Sequence, residues 1–183
     1  MASTPPTALV FMKAGFHANE TLLTIIERKA NEQATAGAIF WGYGGTLCHP
    51  TRQILPFAER CTTLGLAVSV VMSTTPSKFN AEPKIATAFS RDGVLWQPLP
   101  PGVTVKASRY ALVMRDLRPC RTELDLNSYA VAIGPNEGKS FGEYIRGRVD
   151  KGCAIYRLPL SPKKSILVAI IADLVSPYAV FVR

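Results

Sequence analysis

The first 75 residues alternate apolar runs with helical patterns, and this alternation limits the fold more than any other feature of the chain. Residues 8–12 are apolar throughout, which predicts a strand buried on both faces. The helix predicted next carries apolar residues at spacings of three and four: Leu22, Leu23, Ile26, Ala30 and Ala34. Asn19 is its predicted N-cap, and Gly37 is placed to end it.

A second helical unit repeats the pattern. Residues 38–41 begin a second strand, and a helix is predicted to start near Pro50 or Thr51 and to stop at Gly65. Residues 66–72 are apolar and rich in β-branched side chains, which predicts a third strand. Strand, helix, strand, helix, strand is the order typical of parallel strands joined by helices.

The middle of the chain has a different character. Four short runs, 84–90, 94–99, 103–107 and 111–115, are separated by turn residues and predict an antiparallel meander. Residues 90–96, Ser-Arg-Asp-Gly-Val-Leu-Trp, resemble the Asp-box hairpin of sialidase-type propellers, one residue short. A single copy of that motif implies a hairpin and no activity.

The last third predicts four more strands and one short helix. The strands are 130–133, 154–158, 166–173 and 178–182, the helix is 141–149, and Ser176-Pro177 is a predicted turn. A buried helix is the alternative for 166–175, because periodicity does not separate the two. The whole pattern predicts an α/β fold, with α+β as the alternative, in which one mixed sheet forms a single domain over residues 1–183 and residues 1–7 form a flexible tail.

Charge is the clearest global indication of function. The net charge is +8, and residues 139–183 alone hold eight basic side chains against three acidic ones. Such a surplus attracts phosphates and polyanions. The longest apolar run, 166–175, is too short to span a membrane, and the N-terminus lacks a secretory signal, so we expect a cytoplasmic protein without a membrane partner. The four separated cysteines and two histidines fit no zinc spacing, and no metal or cofactor is expected.

Two candidate binding segments follow the first two predicted strands. Lys13 and His17 lie in a strand-to-helix turn, where ligands gather in open α/β sheets. Trp41, Tyr43, Gly44 and His49 lie in a glycine-rich aromatic segment that a ligand can approach closely. If the first two strands are neighbours, His17 and His49 approach each other.

His49-Pro50-Thr51 also matches the H-x-T triplet of two-histidine phosphoesterases. That chemistry needs a second triplet, and His17-Ala18-Asn19 lacks the hydroxyl. His17 and His49 are therefore the catalytic candidates, without a complete catalytic set.

Two basic segments are the candidates for the charged wall of a site. Residues 134–140 end in Gly-Lys-Ser like a P-loop, but three residues separate the glycines where that loop has four. Lys139 there, with Arg146 and Arg148 further on, has the side-chain chemistry that binds phosphate.

Three functions remain open from the sequence. The first is a module that binds a phosphate-bearing anion, either a nucleotide-derived small molecule or a short nucleic acid. The second is an enzyme acting on nucleotides or nucleic acid, with His17 or His49 as acid or base. The third is a basic regulatory protein, for example an anti-defence factor, that docks on an acidic protein partner.

Overall fold

The computed structural model describes residues 5–79, 82–146, 149–157 and 162–183. Strands in these residues are β1 Ala8–His17, β2 Ile39–Tyr43, β3 Val68–Phe79, β4 Ala88–Ser90, β5 Gln97–Pro98, β6 Tyr110–Asp125, β7 Tyr129–Val131, β8 Lys151–Tyr156 and β9 Ser165–Val182. The helices are α1 Leu22–Ala36, α2 Leu55–Thr63 and α3 Phe141–Tyr144, with a π-helical turn at Pro50–Ile54 and a 3-10 turn at Leu126–Ser128.

These strands form one mixed sheet in the order β2-β6-β9-β3-β1-β8-β7, with the β4/β5 hairpin added beside β9. The predicted α/β class with a mixed sheet is confirmed. The pair β1 and β3 is parallel, as predicted for strands joined through helices. The antiparallel continuation is also present: β4 pairs with its chain neighbour β5, whereas β4 and β6 also pair with β9, which is distant in sequence.

The premise that the first two strands are neighbours is wrong. β6, β9 and β3 lie between β2 and β1. The reason is the length of β6 and β9, which have 16 and 18 residues and pair with each other over most of their extent. That pair joins the sheet through β2 on one side and β3 on the other.

Helix α1 is where predicted, but its cap and its buried face differ from the prediction. Thr21 is the N-cap and its hydroxyl accepts the Thr24 N–H, whereas Asn19 precedes the helix with a φ of 63°. Gly37 ends the helix in the left-handed region, as predicted. The buried residues are Ile25, Lys29 and Glu32. A buried ion pair thus occupies positions that an apolar pattern does not reveal.

Several strand boundaries also change. β1 runs on to His17, so the predicted turn at residues 13–17 is strand. Residues 103–107 are not a strand, and their β-pairing is limited to an isolated bridge between Lys106 and Ile85. Residues 166–175 belong to β9, so the alternative of a buried helix is wrong, and the predicted turn at Ser176-Pro177 lies inside the same strand.

The segment that resembles an Asp-box forms the implied hairpin. β4 and β5 pair antiparallel. The Asp92 carboxylate accepts the N–H groups of Val94 and Leu95 at 2.7 and 2.9 Å and the Ser90 hydroxyl at 2.8 Å. A local sequence signal is sufficient for this turn because all of its bonds close within a few residues.

The two faces of β1 contact different parts of the core. Met12 and Ala14 pack with α1, α2 and β2 on one face. Leu9 and Phe11 pack with α3 on the other. Near the N-terminus, the Pro6 and Thr7 carbonyls accept hydrogen bonds from Tyr129 and Tyr156. No helix among the described residues is long and apolar enough to cross a membrane.

Candidate functional site

The cavity of interest has a volume of about 460 Å³ and lies where β1, β2 and α1 come together. Its walls are residues 12–17 of β1, residues 41–47 at the end of β2, the segment 104–108 and the start of β8. Five of the residues proposed from sequence border it: Lys13, His17, Trp41, Tyr43 and Gly44. The volume is within the range of small-molecule sites.

One wall is the loop 44–47, which leaves β2. No described residue accepts a hydrogen bond from the backbone N–H groups of this loop. A Cβ added to Gly44 would have nothing within 4 Å, and Gly45 has a φ of 85°. The glycines therefore let the chain turn here and leave backbone donors beside open space.

Lys151 faces this loop from β8. It pairs with Met12 in the antiparallel register, so both side chains lie on the α1 face of the sheet. The Nζ atom lies 2.7 Å from Asp150 Oδ1 and 3.8 Å from the position a Gly45 Cβ would take. The buried ammonium of Lys151 and the loop 44–47 thus border the same space.

Glu20 organises the opposite wall by bridging two cations. Its carboxylate lies 2.7 Å from Arg28 Nη2 and 2.9 Å from Lys106 Nζ. Burial alone would raise the pKa of Glu20, but the hydrogen bonds and charges of Arg28 and Lys106 outweigh it and lower the pKa. The carboxylate therefore remains charged and holds both cations at the cavity.

Four cationic side chains border the cavity on the face of the sheet that packs against α1. Three carboxylates pair with them. Glu20 holds Arg28 and Lys106, Glu32 holds Lys29, and Asp150 holds Lys151. The surplus is a single positive charge. This balance favours a ligand of low negative charge over a polyphosphate.

His17 lies on the cavity wall at the end of β1. Its Nε2 atom is 3.1 Å from the Lys106 carbonyl oxygen. Because a carbonyl only accepts, Nε2 carries the proton in this hydrogen bond. The ring is thereby held between β1 and the segment 104–108.

Trp41 and Tyr43 border the cavity as buried residues rather than as exposed stacking faces. The Tyr43 hydroxyl donates to the Cys48 carbonyl at 2.6 Å and so closes the loop 44–48 onto β2. Burial raises the pKa of this phenol well above its ordinary range. Tyr43 shapes the loop that carries the backbone donors.

His49 lies outside the cavity. Its ring packs against Tyr110 and Phe181 with centroid distances of 5.3 and 5.5 Å. Burial first, then the charges of Arg52 and Arg109, lower the pKa of this imidazole. His17 borders the cavity whereas His49 packs against β6 and β9, so the two histidines have different surroundings.

The charged wall predicted from the sequence does not border the cavity at Lys139 or Arg146. Lys139 is exposed, and its ammonium donates to Asn136 Oδ1 at 2.9 Å. Arg146 is exposed just after α3. Arg148 lies outside the described residues. Lys13 borders the cavity along β1, but the alternation of the strand puts its side chain on the α3 face with Leu9 and Phe11.

Sequence reasoning missed Arg28 and Lys106. It did not select Lys151 as a binding residue, although Lys151 lies in the same basic segment as Arg146 and Arg148. Arg28 was hidden in the predicted helix, and Lys106 in a segment interpreted as a strand. Lys151 had a usable signal, since it precedes the apolar run 153–155 and a strand start beside β1 would put it at the sheet edge where ligands bind.

The described residues contain no cluster of three His, Cys, Asp or Glu side chains that could hold a metal ion. Comparison with protein-family models, curated proteins and solved structures finds no match to this chain.

Proposed function

We propose that this protein binds a small phosphate-bearing ligand, such as a nucleotide-derived molecule, in the cavity between β1, β2 and α1. The observation that carries the proposal is the loop 44–47, whose backbone N–H groups have no acceptor among the described residues and which lies beside the buried ammonium of Lys151. Consecutive backbone donors with a nearby cation are a common phosphate-binding arrangement.

The charge and size of the cavity narrow the ligand class. The small positive surplus is suited to a ligand with one phosphate group rather than several, and a volume of about 460 Å³ accommodates a mononucleotide. The Glu20 carboxylate would repel additional phosphates. A nucleoside monophosphate is therefore the appropriate probe.

The test is calorimetric titration of the protein with the four common nucleoside monophosphates. Gly44→Phe should abolish binding by filling the cavity, and it adds its side chain where a Cβ meets nothing within 4 Å. Lys151→Met should weaken binding about tenfold, which corresponds to one lost charge-assisted hydrogen bond. Lys139→Met is the matched control, because this lysine is exposed outside the cavity, and it should bind like the wild type.

Two results would reject this proposal. One is the absence of wild-type binding at millimolar concentrations of all four nucleotides. The other is binding by Gly44→Phe, with its fold confirmed by circular dichroism, that equals the wild-type value.

An enzyme acting on the same ligand class is the second candidate. His17 supports it, because this imidazole borders the cavity and is held by the Lys106 carbonyl. Such an enzyme would form product from a nucleotide, and His17→Gln would lose turnover while still binding. Binding without turnover by the wild type would leave the binding module as the function.

A further inference from the structure

We propose a second anion site on the opposite face of β1, formed by Lys13, Lys164 and Arg146, which takes a phosphate group with two negative charges. This site is separate from the cavity, because Lys13 follows Leu9 and Phe11 onto the α3 face. Arg146 comes directly after α3, and Lys164 precedes β9. The site joins the beginning of the chain to its basic C-terminal part.

Backbone carbonyls hold the two ammonium groups in place. Lys13 Nζ donates to the Val149 carbonyl at 3.3 Å, and Lys164 Nζ donates to the Gly142 carbonyl. An ammonium has three N–H donors, so each lysine keeps two for a ligand. Arg146 adds an exposed guanidinium with a planar set of donors.

The cations of the cavity are paired with carboxylates, whereas the three cations of this cluster are not paired in the described part of the chain. Among the described residues, Lys13, Lys164 and Arg146 form no ion pair. Burial, followed by the charges of Arg146 and Lys13, lowers the pKa of the half-buried Lys164, and Glu143 acts in the opposite direction. Glu143 offsets part of the repulsion among the three cations, and Asp125 accepts the backbone N–H of Lys164 at 2.7 Å. A bound dianion would relieve the repulsion that remains.

A phosphate dianion suits this geometry better than a phosphodiester. Its oxygens can accept from two ammonium groups and a guanidinium together, and its second charge is matched by the cluster's surplus. The shared chemistry is that of inorganic phosphate and of a phosphomonoester. An oligonucleotide without a terminal phosphate has only diester groups and so distinguishes the alternatives.

The experiment is calorimetric titration at pH 7.5 with inorganic phosphate, glycerol 2-phosphate and an oligonucleotide that lacks terminal phosphates. Arg146→Gln should weaken phosphate binding roughly tenfold, because one charged donor is lost. Glu143→Gln should tighten it, because the repelling carboxylate is removed. Both residues are exposed, so both variants should fold.

Two controls identify the site. Lys163→Met changes the neighbouring lysine, which is exposed and pairs with Glu123 at 3.6 Å, and should leave phosphate binding unchanged. Gly44→Phe fills the cavity, so phosphate binding that this variant retains belongs to the second site, and failure of this inference is distinguishable from failure of the proposed cavity function. Four results would overturn the inference: no wild-type binding at millimolar phosphate, equal phosphate binding by Gly44→Phe with and without Arg146→Gln, loss of all phosphate binding in Gly44→Phe, or binding of the oligonucleotide alone.

Discussion

The Nζ atom of Lys29 lies 2.8 Å from Oε2 of Glu32, and both side chains are almost completely withdrawn from solvent. Lys29 also donates to the carbonyls of Phe40 and Thr104, and Glu32 accepts the N–H groups of the same two residues. The pair therefore ties α1 to β2 and to the segment before β6. Lys29 and Thr104 of this network also line the cavity.

Replacing Lys29 by Met should destabilise the protein strongly. The change leaves the Glu32 carboxylate buried without its cation, and breaking a buried pair in this way costs about 3–5 kcal/mol. Urea unfolding followed by circular dichroism gives the free energy of unfolding. Glu27→Gln is the control on the exposed part of α1, with an expected change within about 0.5 kcal/mol. A loss below about 1 kcal/mol for Lys29→Met would contradict the assigned role.

Lys29 should titrate far below an ordinary lysine. Burial lowers its pKa to about 8 from 10.5, although Glu32 acts in the opposite direction. Between these two values the unfolded chain holds a proton that the folded protein has lost, so this group's contribution to stability increases as pH rises through that window. Burial raises the pKa values of Cys61 and Tyr43, so their contributions decrease at alkaline pH.

An NMR titration of the Lys29 side chain separates its ionisation from that of Cys61 and Tyr43. The ¹³Cε resonance of Lys29, assigned by its absence in Lys29→Met, should shift with a midpoint near pH 8. A midpoint at pH 10 or above for Lys29 would show that burial does not dominate its ionisation.

Gly15→Ala should disrupt the junction of β1 and β3. A Cβ at this position would lie 2.6 Å from the Thr75 carbonyl oxygen, where the register between the two strands shifts. Because the neighbour is backbone, relief requires the strands to move, and we expect a loss of about 1–3 kcal/mol. Gly44→Ala is the matched control and should be nearly neutral, since its Cβ meets open space. Equal melting temperatures for the two variants would be inconsistent with this packing.

Asp92→Ala should loosen the β4/β5 hairpin. The carboxylate accepts two backbone N–H groups and one hydroxyl, and these bonds lower its pKa. Amide exchange of Val94 and Leu95 should accelerate in the variant, while exchange in β9 away from the hairpin should not. In the wild type the same protection should persist below pH 3.8 and be lost as pH falls through the lowered pKa. Unchanged exchange in the variant would assign the hairpin's order to β4 pairing with β9 instead.

Local patterns predicted the elements whose bonds close within a few residues. Helix α1 ends at Gly37 because only a short turn is needed there, and the hairpin after Ser90 follows from Asp92 and its own neighbours. The buried face of α1 was beyond such reasoning. Lys29 and Glu32 are stable inside because Phe40 and Thr104, distant along the chain, supply their hydrogen-bond partners.

Some of the residues that border the cavity were identified from local sequence, and others depend on contacts between distant parts of the chain. His17 and Gly44 were found because the ends of the first two strands are recognisable and carry unusual residues. Lys151 reaches the cavity only through the pairing of β8 with β1. His49 lies outside it because its ring packs against Tyr110 of β6 and Phe181 of β9. Side-chain chemistry alone did not distinguish these cases.

The sequence by itself determined the α/β class, most element types and the basic surplus, because periodicity, turn chemistry and charge are local properties. Tertiary structure decided which strands are neighbours, which charges are paired and which face of β1 carries Lys13. Those outcomes depend on contacts between residues far apart in the chain, and the free energy of such contacts comes from burial that no short segment can achieve alone.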